Sequence, residues 1–243
     1  MATLVLLRHG RTVWGEANRF TGWGETPLDE VGFKEARAAA ELLRKVGPAF
    51  DLCFSSRLLR AAQTLEVVAE ILGVPQEAIR ADWRLNERHY GALQGESREA
   101  MAERYGEAQI AEWRRSFHGR PPEMAEDDPR FIEQLARFPE IDRALQPRTE
   151  SMAEGAARTR PVWTDEIAPA LRAGRNVLVV AHTSPIRGIV REIEGLTDAQ
   201  CGSFRVATAV PKRYVFDENL AVLENRYLLS GVSDRIRLLK KQA

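Results

Sequence analysis

Apolar positions along the chain gather in short unbroken runs. Leu4 to Leu7, Leu52 to Phe54 and Val177 to Ala181 each read as a strand covered on both faces. Between the first two, FKEARAAAELLRK sets Phe33, Ala36, Ala40 and Leu43 at helical spacing and stops at Gly47-Pro48. After Phe54, SSRLLRAAQTLEVVAEILG predicts a second helix, with Ser55-Ser56 as candidate N-caps and Gly73 as its end. Strand, helix, strand, helix predicts an α/β fold with a mostly parallel sheet. Late in the chain, residues 205–229 predict short strands around a turn at Asp217-Glu218-Asn219, adding antiparallel strands to the same sheet.

The stretch from about 95 to 150 breaks this alternation. It carries charged helical pieces and then GRPPEMAEDDPR, rich in proline and acid. Alternation resumes after it, so it reads as an insertion or lid inside one domain spanning 1–243. A basic tail, SDRIRLLKKQA, follows from about residue 230. There is no internal repeat.

Composition narrows the function classes. Lys plus Arg and Asp plus Glu both number 35, so no overall field recruits nucleic acid or an acidic membrane. Any anion site has to be a local concentration of positive charge. LVLL is too short for a secretory apolar segment, and no run approaches membrane-spanning length. The two cysteines, Cys53 and Cys201, lack disulfide-framework or metal-motif spacing. The expected setting is cytoplasmic, with both thiols reduced.

Ligands of open α/β sheets gather at the carboxyl ends of strands. There the chain places Arg8-His9-Gly10 after the first run and His182 after the last long one, two of only four histidines. A single such histidine is more often structural, but two at equivalent positions, one beside an arginine, favour function. Neutral imidazole is a good phosphoryl acceptor, and arginine matches phosphate oxygens with a planar fork. Arg60, early in the second helix, adds a candidate cation. Within WRLNERHYGALQG, Glu87 is a candidate proton donor and acceptor for the ester oxygen. Arg114 and Arg115 in WRRSF suit a carboxylate or second phosphate. On their own, Arg60, Glu87 and this pair read better as solvated helix or surface charges, and only the company they keep promotes them. No metal-binding motif is present, and the absence of a G-x-x-x-x-G-K-[ST] loop disfavours a nucleotide-dependent kinase.

LLRHG, NRFTGW, WRLNERHYGALQG, WRRSF, TES and DENL occur in one order from about residue 3 to about 229. Together they resemble the histidine phosphatase superfamily and, within it, the 2,3-bisphosphoglycerate-dependent phosphoglycerate mutases. RHG alone is shared across the superfamily, whereas RLNERHYG points to the mutase branch. The resemblance implies a three-layer sandwich and His9 as phosphorylated nucleophile. It implies Arg8, Arg60 and His182 around the transferring phosphoryl group, and Glu87 as proton donor and acceptor. Thr12, Thr21, Gly22, Tyr90, Arg98, Arg114, Arg115, Thr183 and Ser184 match positions lining the substrate groove. It further implies 2,3-bisphosphoglycerate as priming phosphodonor, no metal, a small phosphorylated metabolite as substrate, a homodimer or homotetramer, and a C-terminal tail closing over the site.

Departures from the family pattern cluster in the groove. H-G-x-S-x-W-N becomes a segment with Thr12 for the serine and Gly15 for the amide, and Arg98 replaces a lysine. H-G-N-S becomes His182-Thr183-Ser184-Pro185, whose proline lacks an N–H that could meet an anion. T-G-I-P becomes Thr208-Ala209-Val210-Pro211. The five implied catalytic residues are intact. Isomerisation of 3- and 2-phosphoglycerate leads, ahead of a phosphatase or mutase-like enzyme for another phosphate ester. A non-catalytic phospholigand binder comes last, because binding alone has little use for Glu87.

Overall fold

The computed structural model describes residues 1–231. In chain order the elements are β1 (Ala2–Arg8), α1 (Val13–Glu16), α2 (Glu30–Val46), β2 (Leu52–Ser55), α3 (Leu59–Leu72) and β3 (Ile79–Ala81). Then come α4 (Arg98–Tyr105), α5 (Glu107–Arg115), α6 (Pro129–Arg137), α7 (Met152–Val162) and α8 (Ala168–Arg172). The described chain ends with β4 (Val177–Ala181), α9 (Thr183–Glu194), α10 (Asp198–Ser203), β5 (Lys212–Phe216) and β6 (Val222–Tyr227).

The strands form one sheet in the order β3-β2-β4-β1-β5-β6. β1, β2, β3 and β4 run parallel, and β5 and β6 add antiparallel to the far side of β1. The apolar runs are continuous because successive residues serve two cores. Leu4 and Leu6 pack with Val162, Ile186 and Val190 on one face. Val5 and Leu7 pack with Ala40, Leu43, Ala61 and Leu65 on the other. The sheet is thus sandwiched between α2 with α3 and α7 with α9, as the α/β pattern predicts. Between β3 and β4 no strand occurs among the described residues, and part of this stretch, with Met101 and Ile110, packs on Phe20 and Leu93.

Register brings the strand ends into line. Arg8 lies opposite Ala181, and Ser55 opposite Val180. His9 and His182 therefore leave adjacent strands side by side, with Ser56 leaving the third. The connection from β1 runs through α2 to β2, and the one from β4 runs through α9 to β5. The crevice between β1 and β4 is a topological switch point, where open sheets bind ligands.

One expectation needs correction, and one strand was not anticipated. α3 starts at Leu59, its N-cap Leu58 has no side-chain cap bond, and neither Ser55 nor Ser56 caps it. Ser55 completes β2 and Ser56 turns to His182 instead. The short strand β3 has no counterpart among the predicted elements, since only Ile79 in it is apolar and branched. The expected basic tail lies outside the described residues from 232 onward.

Candidate active site

Arg8 ends β1 and His9 follows it, both against a cleft of about 690 Å³. The His9 backbone N–H donates to the Ala181 carbonyl at 3.1 Å, continuing the β1–β4 ladder one step beyond the strand. Gly10 then donates its N–H to Thr64 Oγ1 at 3.1 Å, so α3 braces the turn. A Cβ on Gly10 would lie 2.4 Å from the Gly32 carbonyl oxygen, which is why this position takes glycine.

The His9 ring has a defined tautomer. Its Nδ1 lies 2.7 Å from the Gly10 carbonyl, which only accepts, so Nδ1 carries the proton and Nε2 is the bare lone pair. Burial, followed by Arg60 and Arg8, holds the His9 pKa well below its ordinary value near 6.5. His182 is fully buried, with its ring centroid 4.9 Å from that of His9. Burial, then Arg60, also holds it well below the ordinary value. His89, beneath the Glu87 segment, accepts the Gly91 N–H on Nδ1 and donates Nε2–H to Gln134. Burial brings its pKa down to about 4.

These three shifts have one consequence for stability. The unfolded chain takes up protons as pH falls through about 6.5, whereas the folded histidines stay neutral, so stability is lost on acidification. From pH 7 to pH 5 each of the three should cost about 2 kcal/mol, visible as falling urea midpoints. Equal midpoints at the two pH values would contradict neutral buried histidines.

Arg60, 1 % exposed, is clamped by the carbonyls of Gly22 at 2.8 Å and Gly24 at 3.1 Å. Burial lowers its pKa to about 10, which leaves it charged at neutral pH. Gly22 has φ of +52°, and a Cβ there would meet Gln94 Oε1 at 2.8 Å. Arg8 donates to the Val206 carbonyl at 3.3 Å, and its buried Nε has no hydrogen-bond partner among the described residues. Arg11 is matched by Asp29 and Glu16, both at 2.7 Å, so its charge is answered within the protein.

Glu87 sits over the N-terminus of α9. Its carboxylate accepts N–H bonds from Arg88 at 2.9 Å, Thr183 at 3.2 Å and Ser184 at 3.1 Å. The anion met by this helix end is therefore Glu87 itself, and Pro185, buried in the next position, removes an N–H that plays no part in that grip. The Glu87 carbonyl is held in turn by Trp23 Nε1 at 2.6 Å and by Arg158 at 3.2 Å. Arg158 also bonds the carbonyls of Trp83, Arg84 and Asn86 and the Glu150 carboxylate, so one buried guanidinium shapes the whole Glu87 segment.

The remaining predicted residues, Thr12, Thr21, Gly22, Tyr90, Arg98, Arg114, Arg115, Thr183 and Ser184, all line the same cleft. Thr12 Oγ1 accepts the Gly15 N–H and caps α1, leaving its own proton to donate. Burial alone would raise the Tyr90 phenol, yet Arg88, Arg114 and Arg98 hold it below its ordinary value. Burial and then Arg98 bring Arg114 down to about 10. Ala209 adopts φ of +51°, a left-handed turn where the family pattern has glycine, and donates its N–H to the Arg8 carbonyl at 3.0 Å. His182 differs from the rest: it stands behind His9 instead of lining the cleft.

Sequence reasoning missed Arg88, Arg187 and Arg205, which also line the cleft. Helical spacing would have found Arg187, four residues after Thr183 on α9. Arg205 lies on a loop and offers no pattern. Nine arginines and two glutamates line the cleft among the described residues, so it holds the local positive charge that the neutral composition requires.

Residues 4–226 match the sequence model of the histidine phosphatase superfamily (branch 1). A 2,3-bisphosphoglycerate-dependent phosphoglycerate mutase of Nitratidesulfovibrio vulgaris is 43% identical over 228 residues, covering 94% of this chain and 92% of the relative. One of Elusimicrobium minutum is 40% identical with the same coverage. Among solved structures, a mycobacterial hydrolase superposes with a TM-score of 0.70 at 26% identity, over 95% of this chain and 99% of its own. A mycobacterial glucosyl-3-phosphoglycerate phosphatase gives 0.68 at 26% identity, over 93% and 97%. With its strand-end histidines, clamped Arg60 and near full-length match, the chain belongs to the histidine phosphatase superfamily, branch 1.

Proposed function

We propose that the protein is a 2,3-bisphosphoglycerate-dependent phosphoglycerate mutase that interconverts 3- and 2-phosphoglycerate through a phosphohistidine on His9. The observation that carries this reading is the bare Nε2 of a neutral imidazole among arginines, in a chain 43% identical to a protein of that name. In the reaction, the His9 Nε2 lone pair forms the N–P bond as the P–O bond to the sugar acid breaks. Arg8 and Arg60 neutralise the oxygens of the passing phosphoryl group, and His182 supports it from behind. Glu87 gives the proton to the departing oxygen and takes one back from the accepting hydroxyl, its position fixed by the α9 N–H groups. Thr12, Thr21, Gly22, Tyr90, Arg98, Arg114, Arg115, Thr183 and Ser184 hold the rest of the substrate.

The cleft suits a polyanion. Its lining is strongly cationic, and the unpartnered Arg8 Nε is ready to donate. These arginines would hold 2,3-bisphosphoglycerate, which would supply the phosphoryl group that primes His9; no metal is required. We read the protein as one cytoplasmic domain forming homodimers or homotetramers. The segment at about 95–150 acts as its lid, keeping water from phospho-His9. Among the described residues no helix is long and apolar enough to cross a membrane.

A second reading is favoured by the groove. Gly15 and Ser184 shorten two amide side chains of the family pattern, and similar solved structures include a phosphatase. ³¹P NMR with 3-phosphoglycerate and a trace of 2,3-bisphosphoglycerate separates the two. Growth of the 2-phosphoglycerate signal is the expected result. Release of inorganic phosphate without isomerisation would make the enzyme a phosphatase.

A further inference from the structure

Two imidazoles stand side by side at the end of the sheet, and only one of them can be the nucleophile. His9 is settled by Gly10. His182 depends on Ser56, a fully buried residue. Ser56 Oγ lies 2.6 Å from His182 Nε2 and accepts the Leu58 N–H at 3.0 Å.

The hydroxyl has one proton to place. If His182 donated from Nε2, Ser56 would accept twice and its proton would find no acceptor within hydrogen-bond distance among the described residues. His182 Nδ1, buried and without a partner there, would then be a bare lone pair. That arrangement leaves two buried groups unsatisfied and a second nucleophile beside His9. If Ser56 donates to Nε2, the one lone pair of the neutral His182 ring is accounted for. Nδ1 then carries the proton and is a buried donor awaiting an acceptor, which a phosphoryl oxygen on neighbouring His9 is.

We propose that Ser56 is a positioning residue whose hydroxyl donates to His182 Nε2, fixing the neutral Nδ1–H tautomer. His182 is thereby a hydrogen-bond donor to the phosphoryl group and is barred from being its acceptor, which leaves attack to His9. The inference rests on the phospho-His9 reading for its purpose, but the tautomer itself needs no substrate.

Long-range ¹H–¹⁵N NMR of the imidazoles in the ¹⁵N-labelled full chain reads the tautomer. His182 should show a pyridine-like Nε2 and a pyrrole-like Nδ1, the same tautomer as His9 but with its Nε2 lone pair occupied by Ser56. A pyrrole-like Nε2 overturns the proposal, whatever the activity. Ser56→Ala should lower kcat about 10- to 100-fold with little change in KM, as loss of an imidazole-orienting partner does elsewhere. Ser56→Thr, which keeps the hydroxyl, should recover most of it. Full-speed turnover by Ser56→Ala also overturns the proposal. If the tautomer is as stated but His9 never takes up phosphate, the failure belongs to the mutase reading and the role in phosphoryl transfer falls with it.

Discussion

His9→Ala is expected to lower isomerisation by at least about 10⁴-fold, the scale on which enzymes lose a covalent nucleophile. It should also abolish acid-labile phosphate on the protein after exposure to 2,3-bisphosphoglycerate. The variant should remain folded, because the backbone N–H of residue 9 still reaches Ala181 and Gly10 still leans on Thr64. Removing an imidazole whose protonated form burial disfavours also relieves part of the acid sensitivity. Rapid-quench detection of phosphohistidine and a urea melt make the comparison. Turnover within tenfold of the parent enzyme, in a folded variant, would end the phospho-His9 mechanism.

Glu87→Gln is the second large effect, expected at about 10²- to 10⁴-fold in kcat. The amide has the shape of the carboxylate, and its one oxygen can keep either the Arg88 and Ser184 N–H bonds made to Oε1 or the Thr183 bond made to Oε2. Its NH₂ group, however, faces donors where Glu87 Oε1 or Oε2 accepted, and it cannot hand over a proton. The loss should depend on the leaving group. An aryl phosphate with an acidic phenol needs little protonation and should phosphorylate His9 in the variant at close to the normal rate. Phosphoglycerate, with its poor alkoxide leaving group, should be slowed by the full factor. Equal slowing of both esters would assign Glu87 to holding the N-terminus of α9 and not to proton transfer.

The sequence made the parallel part of the sheet legible because β1, β2 and β4 are covered on both faces and so appear as unbroken apolar runs. His9 and His182 were legible for a related reason: buried strands end abruptly, and a polar residue just past such an end is conspicuous. Glu87 and the Arg114-Arg115 pair were candidates that local spacing could not separate from surface charges until the family resemblance promoted them, whereas Tyr90 and Arg98 came from the resemblance alone. β3 was missed because Ile79, Arg80 and Ala81 form an edge strand with little to bury. Ser56 was misjudged because a serine before a helix has two possible partners, the helix backbone or a side chain 126 positions away. Arg158 lay equally hidden, since its ties to residues 83–87 join segments more than 70 positions apart.

The place of β4 in the sheet also governs the order of events during synthesis of the chain. Among the described strands β1 pairs only with β4 and β5, and Leu4 meets Val177, so the first strand made has no sheet partner until some 170 residues have followed it. Until then the nascent chain carries two apolar strands, β1 and β2, separated by the gap that β4 will fill. Closing that gap is a long-range, late event, and it completes the sheet's centre and the histidine pair in one step. A chain cut short on the ribosome before residue 177 is therefore inert as an enzyme and, with unpaired apolar edges exposed, a natural client for chaperones.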